Sequence, residues 1–283
     1  MSQPGTPEQK TVSKRATLLI TLVAVLTVVI PLLFWHGTWF GRALSEDEIG
    51  EYLNSHREKP RQTQHALVQI SERMSRGEAS AQQWYSQVVS LADQPLPELR
   101  LTVAWVMGQD PESEVFHHKL SELVTDPHPM VRRNAALSLA RFGDPAGRGE
   151  MLAMLRPHTV TAEQSGILRY RLQEGDVVDR DTLLARIEIE GQPEPFEIRS
   201  PVPGVVRKHL QQDGAAIRSE DEVMLLGPAP DHAFEALRGL FLVGKRDDID
   251  TIRPFLLPNE NIPPQVTQQA RLTIDHISGA GGP

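Results

Sequence analysis

Apolar residues follow three regimes along the chain. Ala16 to Trp35 run without a charge and are rich in Leu, Val and Ile. That is long enough for the about 20 residues a helix needs to cross a bilayer. From residue 45 to 156 the apolar positions recur at helical spacing. Ala66, Leu67, Ile70 and Met74 mark one amphipathic helix, and Trp84, Val88 and Leu91 another. Ser45 followed by Glu48 reads as a capping box opening the first helix. From 158 to 228 short apolar strands alternate with glycine turns.

Within the helical regime the pattern repeats. Leu99-Arg100-Leu101-Thr102-Val103-Ala104-Trp105-Val106-Met107 aligns with Val131-Arg132-Arg133-Asn134-Ala135-Ala136-Leu137-Ser138-Leu139. Each is followed by a turn, Gly108-Gln109-Asp110-Pro111 and Gly143-Asp144-Pro145, and then by a second helix, Val115 to Val124 and Arg148 to Leu155. Asp126-Pro127-His128-Pro129 starts the second unit. A weaker unit follows the strands, with Ala233 to Gly244 as its first helix and turn and Ile249 to Leu256 as its second. Val266 to Ile277 starts another. The Asp-Pro…Val-Arg-x-x-Ala-Ala-x-x-Leu signature resembles the HEAT-type helical repeat. The resemblance implies stacked helix pairs over 45–156 and 231–278, with the helices on both sides of the strands forming one body. Arg100 and Arg132 recur at like positions, and Arg133 follows the second. They can line a ligand groove or pair with a turn aspartate such as Asp126, and stacking energetics favour the second role.

The strand regime is a degenerate duplication. Gly166-Ile167-Leu168-Arg169-Tyr170-Arg171-Leu172-Gln173-Glu174-Gly175 matches Gly204-Val205-Val206-Arg207-Lys208-His209-Leu210-Gln211-Gln212-Asp213-Gly214 with one inserted residue. Gly166, Gly175, Gly204 and Gly214 mark its structural turns. Together with Arg199-Ser200-Pro201-Val202-Pro203-Gly204-Val205-Val206, this resembles the biotinyl/lipoyl-type sandwich. The resemblance implies two interlocking sheets over 158–228, and in carriers of that family a lysine on the hairpin between the halves. Here that hairpin, 189–199, has no lysine. Lys208, the one lysine of the region, falls on a strand. No cofactor is expected, and the unit reads as a docking or bracing module.

Charge gives the apolar run an orientation. Lys10, Lys14 and Arg15 precede it; Trp35, Trp39 and Phe40 close it like an interfacial aromatic belt; Glu46, Asp47 and Glu48 follow. No Ala-x-Ala cleavage pattern ends it. The expectation is an uncleaved single-pass anchor over 16–35 in a bacterial inner membrane, with residues 1–15 a cytoplasmic tail and the bulk of the chain periplasmic. The chain carries a net charge of −8 and its N-terminal part is basic, so the remainder is more acidic still. That balance repels phosphate backbones and sets nucleic acid aside. With no cysteine there is no disulfide, thiolate zinc site or covalent haem. The ten histidines show no ligand spacing, His117 and His118 being adjacent on one helix. No metal site is expected. Neither a nucleophile elbow nor a phosphate loop is present.

The sequence thus predicts an α+β multi-domain chain: a transmembrane helix, a HEAT-like array and an inserted lipoyl-like sandwich. It reads as a non-enzymatic scaffold or assembly subunit that docks membrane or periplasmic proteins. A periplasmic adaptor of a transport or secretion system is the alternative. The candidate partner contacts are Trp84, Tyr85, Arg132, Arg133, Pro193 and Phe196. Trp84, Tyr85 and Trp105 are expected in the helical core, unless exposed as anchors for a partner.

Overall fold

A computed structural model describes residues 42–257 and 262–279, together with Val25, Thr27 and Val29. The chain divides into a unit over 1–51 and a unit over 52–283. In the first, α1 (Glu46–Asn54) starts on the expected capping box. The Ser45 amide donates to Glu48 Oε2 at 2.9 Å and the Glu48 amide to Ser45 Oγ at 3.3 Å.

Two expectations are corrected. Apart from Val25, Thr27 and Val29, which are helical, the segment 16–35 lies outside the described residues. Among the described residues no helix is long and apolar enough to cross a membrane. A single-pass inner-membrane protein with a periplasmic body is therefore not upheld. The strands, in turn, make two small antiparallel sheets rather than a closed barrel sandwich.

In the larger unit, five helices form one layer: α2 (Pro60–Ser75), α4 (Pro97–Met107), α6 (Pro129–Arg141), α8 (Pro230–Val243) and α10 (Pro264–Gly279). Each starts on proline, whose missing N–H is not needed at that position and whose fixed φ suits the first turn. Successive members pack on one another. Behind them run the shorter α3 (Tyr85–Leu91), α5 (Glu114–Leu123), α7 (Arg148–Met154) and α9 (Ile249–Ile252, continued as a 3-10 turn to Leu256).

Small residues set the spacing of the layer. Ala135, Ala136, Ser138 and Ala140 of α6 are all buried. A Cβ on Gly147 would stand 2.4 Å from the Ala136 Cα, so the chain crosses α6 only because both residues are small. Hydroxyls bridge neighbouring helices in the same register on both sides of the strand module. Ser138 Oγ donates to the Ala104 carbonyl at 2.8 Å, and Thr273 Oγ1 to the Leu237 carbonyl at 2.9 Å. Counted from the N1 proline, both pairs join the same two helix positions.

Arginines tie turn to turn. Arg100 donates to the Gln94 and Pro95 carbonyls, both at 2.9 Å, and grips Asp126 in two bonds of 2.8 and 3.0 Å. Arg132 repeats the first part, donating to the Asp126 and Pro127 carbonyls, but sends its Nε to Glu150 at 2.8 Å. At the equivalent position of α8 stands Ala233, and the tie is made differently. Arg148 of α7 forks onto the buried Asp248 at 2.7–3.0 Å, which joins chain before the strands to chain after them. One apolar core accordingly contains Ala136, Met151 and Leu155 together with Leu237, Leu240, Phe255 and Ile277.

Between α7 and α8 the strands are β1 (His158–Thr161), β2 (Gly166–Tyr170), β3 (Val177–Val178), β4 (Leu183–Glu188), β5 (Phe196–Arg199), β6 (Gly204–His209), β7 (Ala216–Ile217) and β8 (Glu222–Pro228). They form two four-stranded antiparallel sheets, β1-β8-β6-β3 and β5-β4-β2-β7. Each half of the duplication lends its short strand to the other: β3 pairs with β6, and β7 with β2. The exchange is quasi-symmetric in its hydrogen bonds. The Gly175 amide donates to the Val206 carbonyl and the Gly214 amide to the Leu168 carbonyl, each at 2.8 Å. Gly175 and Gly214 have φ of +96° and +81°, which excludes most other residues. Gly166 and Gly204 serve differently, since a Cβ on either would strike a neighbouring carbonyl, Glu188 O at 2.4 Å or Gly227 O at 2.7 Å.

Candidate functional site

The proline-started helices place equivalent residues side by side. The eighth residue after each N1 proline is Val68, Trp105, Leu137, Arg238 and Leu272 in turn. On α4 the buried positions are Leu99, Val103, Ala104, Val106 and Met107, so Trp105 stands off the apolar stripe. It is 39% exposed, Leu272 48% and Leu242 55%, unusually open for large apolar side chains.

All of these but Val68 line a groove of about 600 Å³ crossing α4, α6, α8 and α10. Trp105, Leu137, Phe241, Leu242 and Leu272 supply its apolar surface. Asn134 and Gln269 supply amides, and Ser138 lies at its floor. Its charges are two guanidiniums, Arg141 and Arg238, against the single carboxylate Glu235. Arg141 is held by the Gly108 carbonyl at 3.1 Å and Gln109 Oε1 at 3.0 Å. Arg238 bonds Glu235 at 3.2 Å and lies 5.9 Å over the Phe234 ring. The groove is thus apolar with a net basic rim, on a chain whose charge is −8.

The residues predicted as partner contacts lie elsewhere and do not converge. Trp84 is buried, at 8% exposure. Tyr85 is half-buried, tilted against Phe116 at a ring separation of 4.2 Å, and donates to Asp110 at 2.5 Å. Burial, then the Asp110 carboxylate, push its hydroxyl well above the ordinary tyrosine value. Arg132 is committed to the turn. Arg133, one residue on, is buried and faces another side of α6. Pro193 is exposed on the β4–β5 hairpin, whereas Phe196 is half-buried against the core of the strand module. Gly166, Gly175, Gly204 and Gly214 are strand and turn positions of that module, as described above. Among the described residues no group of three His, Asp or Glu side chains stands where it could hold a metal ion.

Sequence reasoning therefore missed Arg141, Arg238, Leu242 and Leu272, and placed Trp105 in the core. A signal existed: a tryptophan off the apolar phase of its helix, at the repeat position shared by Val68 and Leu272.

Comparison with known proteins supports the helical part. The family model for HEAT repeats matches residues 85–165, which include α3 to α7. No curated protein sequence matches the chain. Among solved structures, one chain from the structure of the complex of CpcE and CpcF of phycocyanin lyase from Nostoc sp. PCC7120 aligns with a TM-score of 0.44 and 16% identity, over 86% of this chain and 68% of that one. That likeness is too loose to carry an argument about fold or function.

Proposed function

We propose that the protein is a non-enzymatic binding scaffold whose HEAT-type groove receives a segment of a partner protein. The observation that carries this reading is the groove itself, to which the exposed Trp105, Leu242 and Leu272 bring large apolar side chains from three helices of the layer. Repeat arrays present such surfaces because each unit buries its flanks against neighbours and leaves one edge of each helix outward. A large aromatic at a groove wall has the character of a binding hot spot. The two arginines on the rim favour a segment that combines large apolar side chains with carboxylates.

Site-specific photo-crosslinking from the groove tests this. A photoreactive residue at Trp105 or Leu242 is expected to capture one partner in cells. The same residue at Val177, which is 73% exposed on the strand module, is expected not to. Trp105→Glu should abolish the Leu242 crosslink while leaving the fold intact, since substitutions at exposed positions change stability within about 0.5 kcal/mol. Recovery of the same proteins from all three positions would refute the groove as the docking site.

A further inference from the structure

The groove has a regular step. It crosses four helices of one layer, α4, α6, α8 and α10, each packed on the next. Their register is fixed by close contacts. Ser138 Oγ reaches the Ala104 carbonyl at 2.8 Å and Thr273 Oγ1 the Leu237 carbonyl at 2.9 Å. A Cβ on Gly239 would stand 3.6 Å from both Leu137 and Ala140. Helices in such contact have their axes about 8–10 Å apart.

The eighth residues after the N1 prolines therefore form a row with one rung per helix: Trp105, Leu137, Arg238 and Leu272. In chemistry the rungs read apolar, apolar, cationic, apolar. Trp105, Arg238 and Leu272 are exposed, and Leu137 is half-buried. Arg238 bonds Glu235 through Nη1, and Arg141, one turn beyond Leu137 on α6, uses Nη1 for Gly108 and Gln109. Nη2 and Nε of both guanidiniums have no hydrogen-bond partner among the described residues.

The step of the row discriminates between backbone conformations of an occupant. An extended segment presents side chains on one face about every 6.6–6.8 Å. Two residues then fall short of the next rung, and four overshoot it. An α-helix returns to the same face every seven residues, a rise of about 10.5 Å. A slight tilt across the layer brings that rise into step with the rungs.

We propose that the groove receives an amphipathic α-helix of the partner, running across α4, α6, α8 and α10. Large apolar side chains at heptad steps lie over Trp105, Leu137 and Leu272, and a carboxylate lies over Arg238. The open donors of Arg141 take a second carboxylate on the flank of that helix. The helix presupposes the docking groove proposed above, and adds to it the conformation and the side-chain spacing of the occupant.

Paired photo-crosslinking tests it. A photoreactive side chain is placed in the full chain at Trp105 and, in a second variant, at Leu272, and the residues captured on the partner are mapped by mass spectrometry. The three steps between those rungs span about 24–30 Å. A helix covers that span with about 16–20 residues, an extended segment with about seven to nine. With side-chain reach allowed for, captured residues at least about 14 apart on one partner chain are expected. A shorter separation overturns the helix and leaves the groove as the docking site. Different proteins from the two positions, or none, refute the docking groove itself and the helix with it. A synthetic peptide spanning the captured residues gives a second readout, its binding to the full chain followed by fluorescence anisotropy. Proline at the middle of the peptide should weaken binding at least tenfold, because it breaks a helix and not an extended segment. Arg238→Gln should weaken the parent peptide, but not one whose facing carboxylate is replaced by an amide. A proline peptide that binds as tightly as its parent overturns the proposal.

Discussion

Asp126 is the residue on which the repeat register turns. Its carboxylate accepts both arms of the Arg100 fork and the His128 amide, and its own carbonyl accepts from Arg132. Burial by itself would raise the Asp126 pKa, but the Arg100 guanidinium and the His128 amide outweigh it and hold the group below the ordinary carboxylate value. A depressed folded-state pKa means that the unfolded chain takes up the proton first. The stability this contributes is present above the unfolded value of about 3.9 and is lost as pH falls through the lower, folded one. Urea unfolding of Asp126→Asn should therefore show a weaker loss of stability below about pH 4 than the natural chain. At neutral pH, Arg100→Met should cost about 3 kcal/mol, because it leaves a carboxylate of 6% side-chain exposure without its counter-charge.

At the scale of the element, the helices hold their spacing by small residues and single hydroxyls, and the strand module by its glycines. Ser138→Ala removes a buried donor to the Ala104 carbonyl, and the expected loss is about 1 kcal/mol by chemical denaturation. The turn glycines fail for another reason. Gly175 has open space where a Cβ would go, so Gly175→Ala tests backbone conformation alone. At φ of +96° the left-handed penalty of roughly 1–2 kcal/mol should appear in full. These elements were legible in sequence for local reasons. The capping box, the Asp-Pro turns and the glycine turns act within a few residues of themselves, and the match to HEAT repeats over 85–165 rests on the same local pattern. Trp105 was legible only in part. Its place off the apolar phase is written in α4, but the groove it lines exists only where α6, α8 and α10 lie beside it.

On the scale of the whole molecule, the strand module interrupts the chain without interrupting the helical core. Met151 and Leu155 pack in the same cluster as Leu237 and Ile277, and the Arg148–Asp248 fork spans the break. Replacing residues 158–228 by a short glycine linker should leave a helical body that still unfolds in one cooperative transition, followed by circular dichroism. Two transitions, or a chain without fixed structure, would mean that the strands brace the array. Arg148→Met should destabilise the intact chain by about 3 kcal/mol, since Asp248 is 1% exposed and loses its partner.

By itself the sequence determined the repeat units, their turns and the internal duplication, because each is written in residues close together in the chain. Only the tertiary structure decided that short strands exchange between the two halves, that Trp105 faces a groove, and that the helices before and after the strands share one core. Those outcomes depend on which surfaces meet. Residues 148 and 248 are a hundred positions apart in sequence, and no local propensity records that their side chains meet.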